Sequence, residues 1–182
     1  NPGEVPDPAG ISCKECSPGF SAKFGAEECA PCAEGTIAPS TKTAFCEVCR
    51  QGYYASDDRA TCIECQAGSQ CSAGIKTHCA DGELSSAGQA NCKACDPGEV
   101  PDAAGIACEE CSPGFSAEFG ASECALCPEG TIAPSPKTTF CTVCPQGYYA
   151  SGNHMQCLVC EAGSQCSTGI KTLCTTGSSD EG

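Results

Sequence analysis

Cysteine pairs with the spacing Cys-x-x-Cys recur along the whole chain and are the residues with the clearest potential for chemistry. The 182-residue sequence contains 22 cysteines. The same spacing is found in zinc sites, in redox enzymes and in disulfide-crosslinked domains. Nine such pairs begin at Cys13, Cys29, Cys46, Cys62, Cys92, Cys108, Cys124, Cys141 and Cys157. The choice among these three chemistries decides what kind of protein this is.

Disulfides fit the cysteine pattern better than zinc or redox catalysis. Two Cys-x-x-Cys pairs about a dozen residues apart would by themselves indicate a zinc ribbon. Nine overlapping pairs, with His78 and His154 as the only histidines and a large acidic excess, fit tetrahedral zinc sites less well. A redox motif needs a helix start within a βαβ frame, and the sequence has no such frame. We therefore predict disulfides and no metal or cofactor, and rank an intracellular zinc-rich scaffold last.

The remaining reactive side chains do not recur between the two halves of the chain. His78 aligns with Leu173, and His154 aligns with Arg59, so no serine or cysteine nucleophile has a repeated base. Asp57-Asp58 could indicate a calcium site, but its counterpart in the second half has no carboxylate, and we favour a turn. We predict that the chain has no catalytic residue and is not an enzyme.

The elements that position the cysteines are organised as a duplication. Residues 3–79 recur as residues 98–174 at an offset of 95, without insertion or deletion and with every cysteine matched. A fixed period is the signature of a repeat array. We predict two units, 1–95 and 96–182, the second truncated at its C-terminal end, each with a smaller period of 16 or 17 residues. Both ends of the chain fall in mid-loop, which we interpret as a fragment of a longer array.

A glycine stands three positions after the cysteine in every loop. A residue that recurs at a fixed offset from a crosslink meets a backbone requirement, and glycine adopts positive φ without steric cost. The pattern predicts a string of small crosslinked loops. The eleven glycines are Gly19, Gly35, Gly52, Gly68, Gly82, Gly98, Gly114, Gly130, Gly147, Gly163 and Gly177.

The composition predicts a small disulfide-rich repeat array with short β-hairpin loops, little helix and the shape of an elongated rod. Large aliphatic side chains are too scattered to build one core, so crosslinks must substitute for burial. Each loop should touch mainly its neighbours. The segments 19–22, 35–38 and 52–55 are predicted first arms of hairpins, and Phe45 is predicted to lie in a return arm.

The charge and the turns limit the partners of the chain. A net charge of −14 argues against nucleic acid and anionic membranes, both of which require basic patches. No apolar run approaches the roughly 20 residues of a membrane span, so we expect none in this chain. There is no Asn-x-Ser/Thr sequon, and proline-containing turns make Ser40, Thr41 and Ser135 candidate O-glycosylation sites.

Aromatic residues occupy matching positions in both halves. We favour packing of these rings over neighbouring disulfides rather than a binding hot spot. If they prove exposed, the two tyrosine pairs are the expected shared contact between chains. The residues are Tyr53-Tyr54, Tyr148-Tyr149, Phe20, Phe24, Phe115 and Phe119.

Several phrases of the sequence resemble known extracellular repeats. CSPGFSA, CAEGTIAPS and CRQGYYAS resemble the CPxGTYS phrase of ephrin-receptor-like cysteine-rich repeats, and the loop closure is similar to the first submodule of tumour-necrosis-factor-receptor cysteine-rich domains. The phrase CQAGSQCSAGIKTHCADG resembles the short loop of such arrays. These repeats occur in receptor ectodomains and in surface or extracellular proteins of ciliates and algae. The resemblance implies an extracellular or cell-surface location.

The resemblance also implies a pairing scheme in which the second cysteine of one motif pairs with the first cysteine of the next. An interlaced scheme, Cys13–Cys29 with Cys16–Cys32, stays open. Cys13 and Cys174 are left over and are candidates for inter-unit disulfides. The implied pairs are Cys16–Cys29, Cys32–Cys46, Cys49–Cys62, Cys65–Cys71, Cys79–Cys92, Cys95–Cys108, Cys111–Cys124, Cys127–Cys141, Cys144–Cys157 and Cys160–Cys166.

Two functions follow as hypotheses. The first is a structural extracellular protein that self-associates, as a homopolymer, into a surface coat, hair or filament. Near-identical units without a unique site favour such a building material. The alternative is a receptor or adhesion ectodomain that binds a protein ligand.

Overall fold

The chain folds into a succession of short β-hairpins. The computed structural model describes residues 1–174, and in this range it contains 22 strands and no helix. Consecutive strands pair into eleven two-stranded sheets. The predicted disulfide-rich array of short hairpins is therefore confirmed, while the elongated rod stays a prediction.

The strands are two to four residues long and share one arrangement in both halves of the sequence. In the first half they are β1 (Glu4–Pro6), β2 (Cys13–Glu15), β3 (Phe20–Ser21), β4 (Ala30–Pro31), β5 (Thr36–Ile37), β6 (Glu47–Val48), β7 (Tyr53–Ala55), β8 (Cys62–Glu64), β9 (Ser69–Ser72), β10 (Ile75–His78), β11 (Glu83–Leu84) and β12 (Lys93–Ala94). In the second half they are β13 (Glu99–Pro101), β14 (Cys108–Glu110), β15 (Phe115–Ser116), β16 (Ala125–Leu126), β17 (Thr131–Ile132), β18 (Thr142–Val143), β19 (Tyr148–Ala150), β20 (Cys157–Val159), β21 (Ser164–Ser167) and β22 (Ile170–Leu173).

Nine of the eleven hairpins within residues 1–174 begin at a glycine and return through a Cys-x-x-Cys motif, and the other two are β9–β10 and β21–β22. The predicted first arms are confirmed, because β3, β5 and β7 lie within the three predicted segments. The prediction for Phe45 is wrong. The return arm of that loop is β6, in which Val48 pairs with Thr36 and Glu47 pairs with Ile37. The arm lies between two cysteines because their crosslinks hold both of its ends, and Phe45 is left in the preceding turn.

The glycine after each loop-opening cysteine has positive φ, as its recurrence predicts. All ten such glycines from Gly19 to Gly163 have φ between 74° and 90°, and Gly177 lies outside the described residues. Gly19 has a second constraint, because a Cβ placed on it would lie 2.1 Å from the carbonyl oxygen of Asp58. Glycine is thus required both for the turn and for the close approach of another loop.

Backbone hydrogen bonds join each loop to loops further along the chain. The Gly19 N–H donates to the Ala38 carbonyl at 2.9 Å, and the Cys32 N–H donates to the Gly19 carbonyl at 2.9 Å. The second half repeats this pattern, with the Gly114 N–H donating to the Ala133 carbonyl at 2.8 Å. These contacts need no particular side chain, so loop sequences can differ while the packing is preserved.

The buried residues are mainly crosslinked cysteines and small side chains. Cys16, Ala38 and Cys111 are inaccessible to solvent, and Val5 is the one large aliphatic residue buried within residues 1–174. Most large hydrophobic residues are instead half-buried or exposed. The disulfides therefore form the interior of each unit.

Packing divides the chain into two units. The first comprises Asn1–Lys93 with Ala103–Ala107, and the second comprises Ala94–Asp102 with the residues from Cys108 on. The short segment joins the first unit because the Ser85 N–H donates to the Gly105 carbonyl at 3.2 Å. The boundary drawn from the sequence period, 1–95 and 96–182, stays a prediction about the repeat.

The short loop of the first unit forms a two-residue turn, as does its counterpart in the second unit. Strands β9 and β10 are joined by Ala73-Gly74, with φ of 51° and 77°. Positive φ at both central residues is typical of a type I′ turn. A Cβ on Gly74 would lie 1.9 Å from the carbonyl oxygen of Gly35, so the turn packs directly on another loop.

We expect Gly74→Ala to destabilise the first unit far more than Gly10→Ala. Gly10 has φ of 68° but open space around it, so its replacement costs about 1 kcal/mol from φ alone. The same change at Gly74 adds a collision with backbone. Differential scanning calorimetry of the two variants measures the difference, and equal melting temperatures would refute the close approach.

Candidate functional site: crosslinks and exposed surfaces

Ten disulfides close the loops in tandem. They join the same pairs that the resemblance implies, with Cα–Cα distances of 5.6–5.8 Å, within the ordinary range. Cys13 and Cys174 are free and exposed. The pairs are Cys16–Cys29, Cys32–Cys46, Cys49–Cys62, Cys65–Cys71, Cys79–Cys92, Cys95–Cys108, Cys111–Cys124, Cys127–Cys141, Cys144–Cys157 and Cys160–Cys166.

Such a density of disulfides is typical of an extracellular or secreted protein, because the cytosol keeps thiols reduced. The second cysteine of most motifs, for example Cys16 and Cys127, is buried. The first cysteine of these motifs is more accessible, for example Cys29, so a reductant in solvent attacks these disulfides more readily from that side.

We expect a thiol-reactive chromogenic reagent to detect two thiols in the native chain and 22 after reduction in denaturant. Full reduction should abolish the hairpins, because each closed loop of about 14 residues contributes about 3 kcal/mol. Circular dichroism before and after reduction measures the loss. As the control, alkylation of Cys13 and Cys174 alone should leave the spectrum unchanged. A fold that survives full reduction would contradict this expectation.

One histidine contacts a serine, which the sequence analysis missed. The His78 Nδ1 atom lies 3.2 Å from the Ser69 hydroxyl, because the two residues pair across β9 and β10. Only 1% of Ser69 is exposed, and the second unit has Leu173 in place of the histidine. His154 instead lies 3.1 Å from the carbonyl oxygen of Thr131. The serine contact is partly buried and is not repeated in the second unit, and only the hairpin register could have revealed it.

The acidic pair of the first unit is part of a hydrogen-bonded turn. The Ser56 hydroxyl donates to the Asp58 carboxylate and lowers its pKa, and the Ala60 N–H donates to the same oxygen. In the second unit, the Ser151 hydroxyl donates to the Asn153 side-chain oxygen at 2.7 Å. An uncharged amide therefore serves the same turn. Within residues 1–174, no group of three or more His, Cys, Asp or Glu is placed to hold a metal ion.

An ion pair recurs at the same place in both units. The Lys42 ammonium lies 2.6 Å from Glu4, and the Lys137 ammonium lies 2.6 Å from Glu99. The hydrogen bond from Lys42 lowers the pKa of Glu4, and the carboxylate raises the pKa of Lys42 in return. Each pair ties the first strand of its unit to a turn two loops further along the chain.

The tyrosine pairs lie in and beside clefts. Tyr53, Tyr54 and Tyr149 are half-buried, while Tyr148 is 39% exposed. Tyr54 and Tyr149 line clefts of about 350 and 260 Å³, and a lysine ammonium lies 5.4 and 5.1 Å from their respective ring centroids. Because these tyrosine rings are partly covered, they offer less surface for a contact between chains than fully exposed rings would.

The phenylalanines of the loop tips are exposed, so the predicted packing over disulfides is wrong for two of them. Phe24 is 80% exposed and Phe119 is 68% exposed, while Phe20 and Phe115 are more covered. Phe24 and Phe119 each precede a glycine in a turn, at a point where the thin interior offers no space for a ring. Phe45 and its counterpart Phe140 are about two-thirds exposed.

In the second unit these rings form a groove, which we call the Phe140 groove. It has a volume of about 590 Å³ and is lined by Phe119, Phe140 and Pro128, with the carboxylate residues Glu118 and Glu123. In the first unit, Lys23 occupies the position of Glu118. The two copies of this surface thus carry opposite charge at one position.

The candidate O-glycosylation sites Ser40, Thr41 and Ser135 are exposed in proline-containing turns. In the described part of the chain there is also no helix with the length and apolarity to cross a membrane.

No protein-family model matches this chain, and the search of curated proteins finds no match. The fold itself defines a disulfide-rich, cysteine-rich tandem-repeat protein. A proposal for its function therefore rests on the geometry of the crosslinks and of the exposed rings.

Proposed function

We propose that this chain is a structural extracellular protein that self-associates into a cell-surface coat, hair or filament. The observation that carries the proposal is the exposure of large apolar rings at matching positions in both units, Phe24 and Phe45 in one and Phe119 and Phe140 in the other. Clusters of exposed apolar side chains mark interaction sites in soluble proteins.

The crosslinked interior suits a building material. Ten disulfides close loops in tandem between Cys16 and Cys166, and backbone hydrogen bonds join these loops to others nearby in sequence. Stability in such arrays is a sum of local terms, so further units can be added without a new core. Such a construction suits a long array of similar units better than a protein with one specialised binding site.

Repetition makes weak contacts effective. A contact made by one unit can be made again by the next, so the affinities combine through effective concentration. Contacts between unlike surfaces lead to filaments where the rotation between neighbouring copies does not close a ring. The net charge of −14 opposes association, and salt should weaken this repulsion by screening it.

Glycans are a proposed addition to this surface. Ser40, Thr41 and Ser135 are exposed in turns, and Ser40 and Ser135 hold equivalent positions in the two units. O-linked sugars there would make the assembly a glycoprotein coat, a composition that is common for extracellular stalks rich in serine, threonine and proline.

A receptor or adhesion ectodomain is the second candidate, and one difference between the units favours it. The Arg50 guanidinium lies 4.1 Å from the centroid of the Tyr53 ring, but its counterpart is Pro145, next to the more exposed Tyr148. A surface that differs between two copies suits a ligand that binds only one of them.

We expect the chain to form larger species as concentration and ionic strength rise. Sedimentation velocity and light scattering at low and physiological salt measure this, and negative-stain images report whether the species are ordered. Glu34→Gln combined with Glu129→Gln removes two exposed negative charges and should lower the salt required.

Glu34→Asp combined with Glu129→Asp is the matched control, because it keeps both charges. A chain that stays monomeric at high concentration and at every salt level would refute self-assembly. The receptor candidate would then take its place.

A further inference from the structure

The loop tips of the two units differ in what covers their second phenylalanine. In the first unit, the Lys23 ammonium lies 5.9 Å from the centroid of the Phe45 ring, which is within the range of a cation–π contact. In the second unit the aligned residue is Glu118. A carboxylate cannot make this contact, because the face of an aromatic ring is itself negative.

The Phe140 groove therefore combines uncovered rings with negative charge. Phe119 and Phe140 supply the apolar surface, and Glu118 and Glu123 lie along the same groove. A complementary occupant must present an aromatic or aliphatic group next to a cation. Such an occupant would cover the rings and neutralise the carboxylates together.

The chain itself carries this combination at Lys23–Gly25, which we call the Lys23 turn. Phe24 is the most exposed phenylalanine of residues 1–174, and Lys23 precedes it. A Cβ placed on Gly25 would meet no atom within 4 Å, so the tip of this turn projects into open space. A projecting ring beside a cation is the shape and charge that the groove requires.

We propose that the Phe140 groove binds the Lys23 turn of a second copy of this chain. Phe24 of the second copy enters the groove between Phe119 and Phe140, and its Lys23 ammonium lies against Glu118. On binding, the Lys23 ammonium would leave the ring of Phe45 in its own chain and contact the ring of Phe140 and the carboxylate of Glu118 in the other chain. This inference rests on the proposed self-assembly and names the contact that produces it.

Charge selects unlike surfaces for this contact. Two first units meeting through their loop tips would bring Lys23 against Lys23, and two second units would bring Glu118 against Glu118. Like charges placed opposite each other disfavour both arrangements. Each copy therefore uses its groove once and its turn once, and such a head-to-tail contact gives an open filament where the rotation between copies does not close a ring.

The test uses two charge reversals in the full chain, with Cys13 and Cys174 replaced by serine so that no disulfide forms between copies. Lys23→Glu removes the cation of the turn and keeps the groove. Glu118→Lys fills the groove with a cation and keeps the turn. Each variant alone should associate roughly tenfold more weakly than the parent, as expected for the loss of one exposed ion pair and one cation–π contact.

An equimolar mixture of the two variants gives the sharpest readout. The intact turn of the Glu118→Lys chain should bind the intact groove of the Lys23→Glu chain. The reversed turn of the Lys23→Glu chain and the reversed groove of the Glu118→Lys chain also carry opposite charges. Sedimentation velocity should therefore show the mixture forming species as large as those of the parent, although each variant alone associates weakly, and a mixture that associates no better than either variant alone would refute the contact.

Lys14→Glu is the matched control. It makes the same change in charge at the other position where lysine in the first unit aligns with glutamate in the second, Glu109, outside the residues that form the turn and the groove. It should associate as the parent does. Lys23 aligns with Glu118, so each test reversal introduces the residue type that the other unit has at the same position. An unchanged circular dichroism spectrum checks that the variants fold.

The outcomes separate the contact from the proposed function. If the parent chain associates and all three variants associate equally, self-assembly stands and the proposed contact is wrong. If the parent never associates, both are wrong. If it stays monomeric while the amide resonances of residues 116–121 and 139–141 shift on addition of a separate Lys-Phe peptide, the groove serves another protein and a second copy is not its occupant.

Discussion

Disulfides close most of the loops, usually from one Cys-x-x-Cys motif to the next, and the rest of the structure depends on these crosslinks. In the loop closed by Cys16 and Cys29, the first cysteine is buried and its carbonyl accepts a hydrogen bond from the Lys42 N–H at 3.0 Å. The crosslink therefore anchors the next layers of backbone as well as its own loop. Without it, strands of two to four residues would have no means to stay paired.

An interior made of crosslinks and backbone leaves the loop tips free to vary. Phe24 and Phe119 keep the same position while their neighbours Lys23 and Glu118 change sign, because neither neighbour supports the packing of the hairpin. In a protein with a large apolar core, rings of this size would be drawn inward. Here they remain at the surface, where they are available to other molecules.

The internal duplication separates what packing requires from what it tolerates. The turn that holds Asp58 has its counterpart in a turn that holds Asn153, so its carboxylate charge is not needed for the fold. Gly74 is constrained by the carbonyl of Gly35, and its counterpart is again a glycine. The differences that can carry function are therefore those at the surface, such as the opposite charges of Lys23 and Glu118 at the loop tips.

The cysteine spacing and the glycine at a fixed offset determined the hairpin array, because crosslinks and positive φ are local constraints that sequence displays directly. The tertiary structure alone decided which rings are exposed and which pairs meet across strands. Phe45 lies in a turn, Phe24 projects into solvent and His78 contacts Ser69, and none of these follows from local spacing. Each depends on register and on how little interior the loops enclose, and those are properties of the assembled chain.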